Sequence, residues 1–579
     1  MFRFASPLLR SAVAPLALAG YGLIAGAAHA GDHLKELQTE YSTHPEQKVD
    51  RVYHFGSQGA GDVYSNHGSH SNRQVPVYVW GRKADLGSIM GENSSYRDAE
   101  KVKRLYGFLP ENTVNPEATY GDQSELRKVM ADAVEKGVKH LFIVWFDGFD
   151  WVPTQAATIV KTNKAFTEGK GSGLIFQDYE ADGSAQYGYV VTSPTYDKAK
   201  VDVDAQTVTI PENSLKGGYD AQIAGPNPWT PGPLATQAPG YLKGQGASDQ
   251  DRAGVAAAGR VLHAYTDSST SAAEAINGVK SYNNSVNVAD DGRVLPTLFN
   301  ELQQQGWKVG TVTSVPFPHA SPAAMYAQNV TREDYQDLAR SMLGIPGVMQ
   351  EARQAPLYPG LDVVIGAGYG VMMEPQHFKR QGKNAVDGHL FIAEPDRKAI
   401  NVENGGKYVV VETKYGVNGG EELQKAAEKA AKNGHRLFGF FGDKGLDHLP
   451  FQTADGNYDP APNPGKGDGK PGKAESYTKE VLESQPTLAH MTDAALTVLA
   501  QPDQNFALFV EAGDVDFGLH SNNLDNAIGA VYSGEDAIKR IIHWVETNSN
   551  WDDSMVLISS DHGHYLVIDD PEGLVDPSK

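Results

Sequence analysis

The heptapeptide HLFIVWF, residues 140–146, is apolar at nearly every position and is followed at once by Asp147-Gly148. A run that short, with no polar alternation, reads as a strand buried on both faces, the kind found inside a parallel sheet. Just before it, SELRKVMADAVEKG (124–137) has helical apolar spacing and stops at Gly137, a helix C-terminal signal. The same pattern recurs in KVGTVT (308–313), DVVIG (362–366), FALFV (506–510) and MVLIS (555–559), separated by helical stretches such as PTLAHMTDAALTVLA (486–500) and GEDAIKRIIHWVE (534–546). Strands apolar on both sides need helices on both sides. The pattern predicts an α/β fold, a three-layer α/β/α sandwich around a mostly parallel central sheet.

Working outward, the chain has 579 residues, more than one core organises, since single cores stop growing at roughly 250–300 residues. One large domain with additions is expected: residues 1–30 as a signal peptide, 31–120 as a polar N-terminal extension, and 121–579 as the α/β domain, with insertions at about 160–255 and 455–475. In the leader, Arg3 and Arg10 precede an uncharged Ala/Leu/Val-rich stretch that ends on Ala28-His29-Ala30. That is the form of a secretory signal with a small-x-small cleavage site, and it predicts a periplasmic or secreted protein. The insertions are read from GPNPWTPGPLATQAPG (225–240) and PAPNPGKGDGKPGK (460–473), where proline and glycine exclude helix and central strand. The lysines of the second, Lys466, Lys470 and Lys473, read as a solvated face. In the N-terminal stretch, Ser65-Asn66-His67-Gly68-Ser69-His70 reads as an exposed loop whose histidines have no specific role.

Fifty Lys plus Arg stand against 72 Asp plus Glu, a net charge of −22. Losing the leader removes two arginines and no acid, which moves it from −22 to −24. A general nucleic-acid surface is therefore not expected, because such partners need basic surface. No other run approaches twenty apolar residues, so no stable membrane insertion is expected. The chain has no cysteine, which excludes disulfides, thiolate-held metals and thiol nucleophiles and leaves His and carboxylates as the metal donors.

In open parallel sheets, ligands bind beyond the carboxyl ends of the strands. Those ends are biased here. Strand 140–146 leads to Asp147; strand 506–510 to Glu511, Asp516 and His520; strand 555–559 to Asp561, His562 and His564; and strand 308–313 to His319 and Ser321. With no cysteine, carboxylates, imidazoles and a hydroxyl suit a cluster of divalent cations, imidazole favouring zinc and oxygen donors magnesium. Thr266-Asp267-Ser268-Ser269 runs into the Ala-rich helix 272–279. Ser268 reads both as a helix N-cap and as a nucleophile, since a cation next to a serine hydroxyl favours its ionised form.

The stretches TDSSTSAAEAINGVKSYNNSVNV (266–288), VTSVPFPHASPAAMYAQNVTRED (312–334), PTLAHMTDAAL (486–496), FVEAGDVDFGLH (509–520) and SSDHGHY (559–565), together with FDG (146–148), resemble the successive motifs of the alkaline phosphatase family, in that family's order. The resemblance covers about residues 138–565. It implies an exported phosphate monoester hydrolase working through a phosphoserine intermediate on Ser268, with two Zn2+ and one Mg2+. Asp147, Asp561 and His562 would hold one zinc beside Ser268, and Asp516 and His520 the other. Glu511, Ser321 and a second oxygen of Asp147 would hold the third metal. His319, where relatives carry Asp or His, would make that site less strictly magnesium, and Arg332 would clamp two phosphate oxygens. The expected partners are small phosphate monoesters, and relatives are commonly homodimers.

The resemblance also exposes a departure. Relatives complete the second zinc site with a histidine well downstream of the Asp-His motif, and none follows His564 here. His564 is the nearest substitute by position, although in relatives the corresponding histidine supports the ligand Asp without touching metal. The alternatives are a phosphodiesterase of the same superfamily and a non-catalytic acidic secreted binding protein. A sulfatase, a G-x-S-x-G hydrolase and a P-loop hydrolase each require a motif the chain lacks.

Overall fold

A computed structural model of the chain describes residues 32–43, 52–55, 70–71, 73–230, 263–463, 472–564 and 566–579. The leader, His67, and parts of both proline-rich segments lie outside the described residues.

Ten strands form one sheet: β1 Val75–Trp80, β2 Gly121–Asp122, β3 His140–Phe146, β4 Gln186–Val191, β5 Lys308–Pro316, β6 Val363–Ala367, β7 Tyr408–Glu412, β8 Arg436–Phe440, β9 Phe506–Ala512 and β10 Ser554–Ser559. Across the sheet they run β7-β8-β6-β5-β9-β3-β10-β1-β4-β2. The seven from β7 to β10 pair in parallel, and β1 is antiparallel to both of its neighbours. In register, Phe506 and Ser554 both face His140, so β3, β9 and β10 end side by side.

The alternation of side chains along a strand explains the layers. From β3, Phe142, Val144 and Phe146 enter a core shared with helices Trp151–Thr162, Leu488–Leu499 and Leu524–Asn548. Leu141, Ile143 and Trp145 enter the opposite core, shared with helices Leu126–Glu135, Ser268–Asn277 and Leu298–Gln304. Each fully buried apolar side chain is worth about 1.5–3 kcal/mol, so neither face of this sheet can stay wet. The α/β/α sandwich expected from the apolar runs is the fold observed.

Three readings shift in detail. The stretch read as a polar N-terminal extension supplies β1, VPVYVW, whose residues are all buried. The stretch read as the first insertion supplies β4 to the same sheet, plus the hairpin Lys200–Asp202 with Thr207–Thr209. Both hide in polar, turn-rich surroundings, and β1 becomes a buried strand only because β10 and β4 flank it. The helix expected at 534–546 begins at Leu524, where the Asn523 side chain accepts from the Asn526 amide and caps it. No helix among the described residues is long and apolar enough to cross a membrane.

Candidate metal-bearing active site

The carboxyl ends of β5, β9, β3 and β10 are neighbours, and each delivers polar side chains into one buried space. Asp147 follows β3, and Asp561 and His562 follow β10; all three are buried. Glu511 is the penultimate residue of β9. Asp516 and His520 follow on the short helix Asp514–His520, where i,i+4 spacing puts both on one face. The Gly148 amide donates to Asp561 Oδ1 at 2.9 Å and the Phe149 amide to Ser560 Oγ at 2.8 Å, tying the β3 loop to the β10 loop.

Ser268 is the first residue of helix Ser268–Asn277, and the cap is Asp267, whose carboxylate accepts from the Ser269 and Thr270 amides. Ser268 is therefore not the cap its position suggested. With Asp267 in that role, the Ser268 hydroxyl is turned to the site, 3.2 Å from His562 Nε2 and 3.5 Å from Asp147 Oδ1. Arg332 Nη1 lies 3.1 Å from Asp267 Oδ2, so the guanidinium is held one residue from the serine. Burial alone would raise Asp267, but the Arg332 charge and the amide of Asn284 hold it below the usual carboxylate range.

Three groups of side chains gather donor atoms within 4.8 Å of one another: Asp147, Asp561 and His562; Asp516, His520 and His564; and His70, Asp516 and His562. Burial, with the charges of Asp561, Asp516 and Glu511, pushes Asp147 well above the ordinary carboxylate range. Burial likewise pushes Glu511 up to about 8, Asp561 adding repulsion. Asp516 goes the other way: against the effect of burial, the charge of His520 and hydrogen bonds from His520 and His564 hold it well below its usual value. So many carboxylates share this space that cations are the natural counter-charge. Among the described residues, Glu511 Oε1, Ser321 Oγ and Asp561 Oδ2 are buried without a hydrogen-bond partner, a cost of about 1–3 kcal/mol each unless something else binds them. Oxygen donors left over in this way fit a hard divalent ion. The residues present therefore fit the metals the motifs imply.

His319 lies within electrostatic reach of Arg332, Asp516 and His520. It belongs to none of the three donor groups, and its ring lies against Tyr335 and Phe517. Burial and the nearby Arg332 charge push it down to about 3, so it is a neutral imidazole. The reading of Ser65 to His70 as loop without a role misses His70, whose ring stacks on His562 at a centroid separation of 3.9 Å. No local signal marks it, because a short pairing with Gly563–His564 brings it there.

Gly148 has φ +71°, and a Cβ there would lie 2.7 Å from His564 Nε2 and 3.0 Å from Asp516 Oδ1. Gly148→Ala is therefore expected to lower stability by about 1–3 kcal/mol through overpacking and left-handed strain, and to displace the His564 and Asp516 side chains. A urea midpoint and a metal content equal to the parent's would refute this.

Residues 247–572 match a family model described as "Alkaline phosphatase". The chain is 24% identical over 299 residues to Alkaline phosphatase 4 of Bacillus subtilis, covering 51% of this chain and 49% of that protein. It is 25% identical over 316 residues to Alkaline phosphatase of Escherichia coli, covering 53% of this chain and 60% of that one. The matched stretch thus spans about half the length of these relatives. Among solved structures, the cold-active alkaline phosphatase from a psychrophilic Shewanella aligns with a TM-score of 0.40 at 15% identity, covering 73% of this chain and 68% of that one.

Proposed function

Because the chain belongs to the alkaline phosphatase family, we propose that it is an exported, metal-dependent phosphate monoester hydrolase that works through a phosphoserine on Ser268. The observation that carries this reading is the Ser268 hydroxyl facing His562 and Asp147, two members of a three-donor group. Asp147, Asp561 and His562 would hold one zinc and Asp516 and His520 a second, with Glu511, Ser321 and Asp147 holding magnesium and His319 beside it. When bound, these ions supply neutralisation of the buried carboxylates, a lowered pKa for the Ser268 hydroxyl and charge stabilisation of the attacking and leaving oxygens.

The chain's own groups do the rest. Arg332, braced by Asp267, docks two phosphoryl oxygens through its planar fork. Ser268 Oγ loses its proton and attacks phosphorus in line; the ester P–O bond breaks and the alcohol leaves with a proton. Water then attacks the phosphoserine, releasing inorganic phosphate and returning the hydroxyl. The positive charge of Arg332 also gives an acidic protein a local attraction for an anionic substrate. Export through the leader and a homodimeric state belong to the same reading.

An aryl phosphate, a bis-aryl phosphate and an aryl sulfate, each tried with and without chelator, test it. Rapid chelator-sensitive turnover of the monoester alone is expected; preference for the diester would overturn it. Arg332→Ala should keep the metal content and weaken both substrate and inorganic phosphate by about 1–3 kcal/mol, the worth of a charge-assisted pair. Phosphate inhibition as strong as in the parent would remove Arg332 from the clamp.

A further inference from the structure

Strand β10 ends just before Asp561 and His562, and a strand end leaves backbone carbonyls without a ladder partner. Continuing the register of Ile558 with Tyr78 would bring Ser560 opposite Pro76, which has no N–H to give. Ser560 and Asp561 are both fully buried, so their carbonyls need donors from elsewhere. Both find one on the same side chain. Gln123 Nε2 donates to the Ser560 oxygen at 2.9 Å and to the Asp561 oxygen at 3.2 Å. Carbonyls only accept, so these two contacts fix which end of the amide is nitrogen. Gln123 is itself buried, and its Oε1 has no hydrogen-bond partner among the described residues. A buried acceptor left over costs stability, so packing alone does not account for a glutamine here.

The turn that carries Gln123 is anchored to the other half of the site. Asp122 accepts from the Ser124 amide and hydroxyl, and from the Tyr96 hydroxyl at 2.6 Å. Its carboxylate also lies 3.1 Å from Lys280 Nζ, which is 3.0 Å from Glu274 Oε2 and donates to the Ser193 carbonyl at 2.7 Å. The side chains of Asp122, Lys280 and Glu274 are wholly buried. With all three ammonium protons placed, this group holds one geometry, and removing any member would strand a buried charge. Glu274 belongs to the helix that begins at Ser268, less than two turns from that serine. The same turn thus reaches the helix of the attacking hydroxyl through Asp122, and the loop of Asp561 and His562 through Gln123. Ser268 Oγ and His562 Nε2, 3.2 Å apart, sit at the two ends of this bridge.

We infer that Gln123 is a positioning residue of the reaction proposed above: it caps the end of β10 and sets the Asp561–His562 loop against the Ser268 helix. Its contacts are to loop backbone, so it acts through Asp561 and His562 and not on the substrate. A loop held in this way presents both side chains already aimed, and outer contacts of that kind are commonly worth about 10–100-fold in metal affinity or activity. Arg332 is braced by Asp267 instead, so docking of the phosphoryl group should be spared. This rests on the phosphoserine reading above.

Gln123→Met keeps the length of the side chain and removes both donors, and Gln123→Glu keeps its shape but sets oxygen against the two carbonyls. Ser95→Ala is the control: Ser95 Oγ donates to Glu125 Oε1 at 2.6 Å, so its loss costs the same turn a hydrogen bond without reaching the loop. Three quantities are measured on the full-length protein: deuterium exchange of the Ser560–His564 peptide without metal, zinc affinity in competition with a chelator, and kcat and KM for an aryl phosphate. Both Gln123 variants should exchange faster in that peptide. They should hold zinc about 10–100-fold more weakly and lose kcat on that scale, with KM near the parent's. Ser95→Ala should match the parent in all three. Either Gln123 variant that folds suffices. Parental exchange and zinc affinity in it would overturn the assignment, and so would equal losses in Ser95→Ala, which would make Gln123 a contributor to folding alone. A parent that neither binds zinc nor turns over the ester would sink the phosphatase reading instead, while the exchange measured without metal still decides whether Gln123 holds the loop.

Discussion

Ser268→Ala should abolish labelling of the protein by substrate phosphate and cut turnover on the order of 10³-fold or more, the scale on which removing a covalent nucleophile acts. The expectation comes from geometry. Ser268 is the hydroxyl of the helix start that faces His562 and Asp147. Its neighbours are committed elsewhere: Ser269 Oγ donates to Asp267 and Ser271 Oγ to the Asp267 carbonyl. Neither can step in without breaking the cap that holds the helix. The lost methyl-sized volume is trivial, so the fold should stand, as a thermal melt would record. A phosphorylated active-site peptide recovered from the variant, or near-parental turnover, would sink the assignment.

Stripping the metals should be as severe, and should show in stability as well as rate. Asp147, Glu511, Asp516 and Asp561 are all buried, and without cations they repel one another in a space that water barely reaches. Strong chelator followed by dialysis should silence hydrolysis, and zinc plus magnesium should restore it. An ion that binds only the folded form adds about 2.7 kcal/mol at one hundred times its Kd, so the melting temperature should rise with added zinc. The stripped protein should also lose stability as pH rises. Burial raises Asp147 and takes Glu511 up to about 8, so the folded form binds protons that the unfolded form has already released. That stability is present below the ordinary carboxylate range and is lost as pH climbs towards 8. The loaded protein should not share this slope. Full activity in chelator, or matching pH slopes for the two forms, would contradict the metal centre.

Much of this centre was legible in the chain because its ligands are written locally. Asp147, Glu511, Asp561 and His562 sit at strand ends, where position along the chain already implies position in space. Asp516 and His520 share a helix face by spacing alone. What the residues could not tell was which serine-loop member caps and which attacks. That depends on Asp267 being braced by Arg332, a contact between residues far apart in sequence. His319, two residues before Ser321, has its ring against Tyr335 and Phe517, a tertiary contact that no local pattern announces.

Periodicity and composition by themselves determined the three-layer α/β/α plan, the absence of thiol chemistry and the identity of most candidate donors. These follow from short-range rules: two-residue alternation, helical spacing and the side-chain types available. Only the tertiary structure decided that VPVYVW is a buried sheet strand and that His70 lies beside His562, one residue from the Ser71 that ties it down. Both depend on backbone pairing with strands near the other end of the chain. A hydrogen-bonded register between distant segments leaves no period in either one, so the partner must be in place before the residue acquires its role.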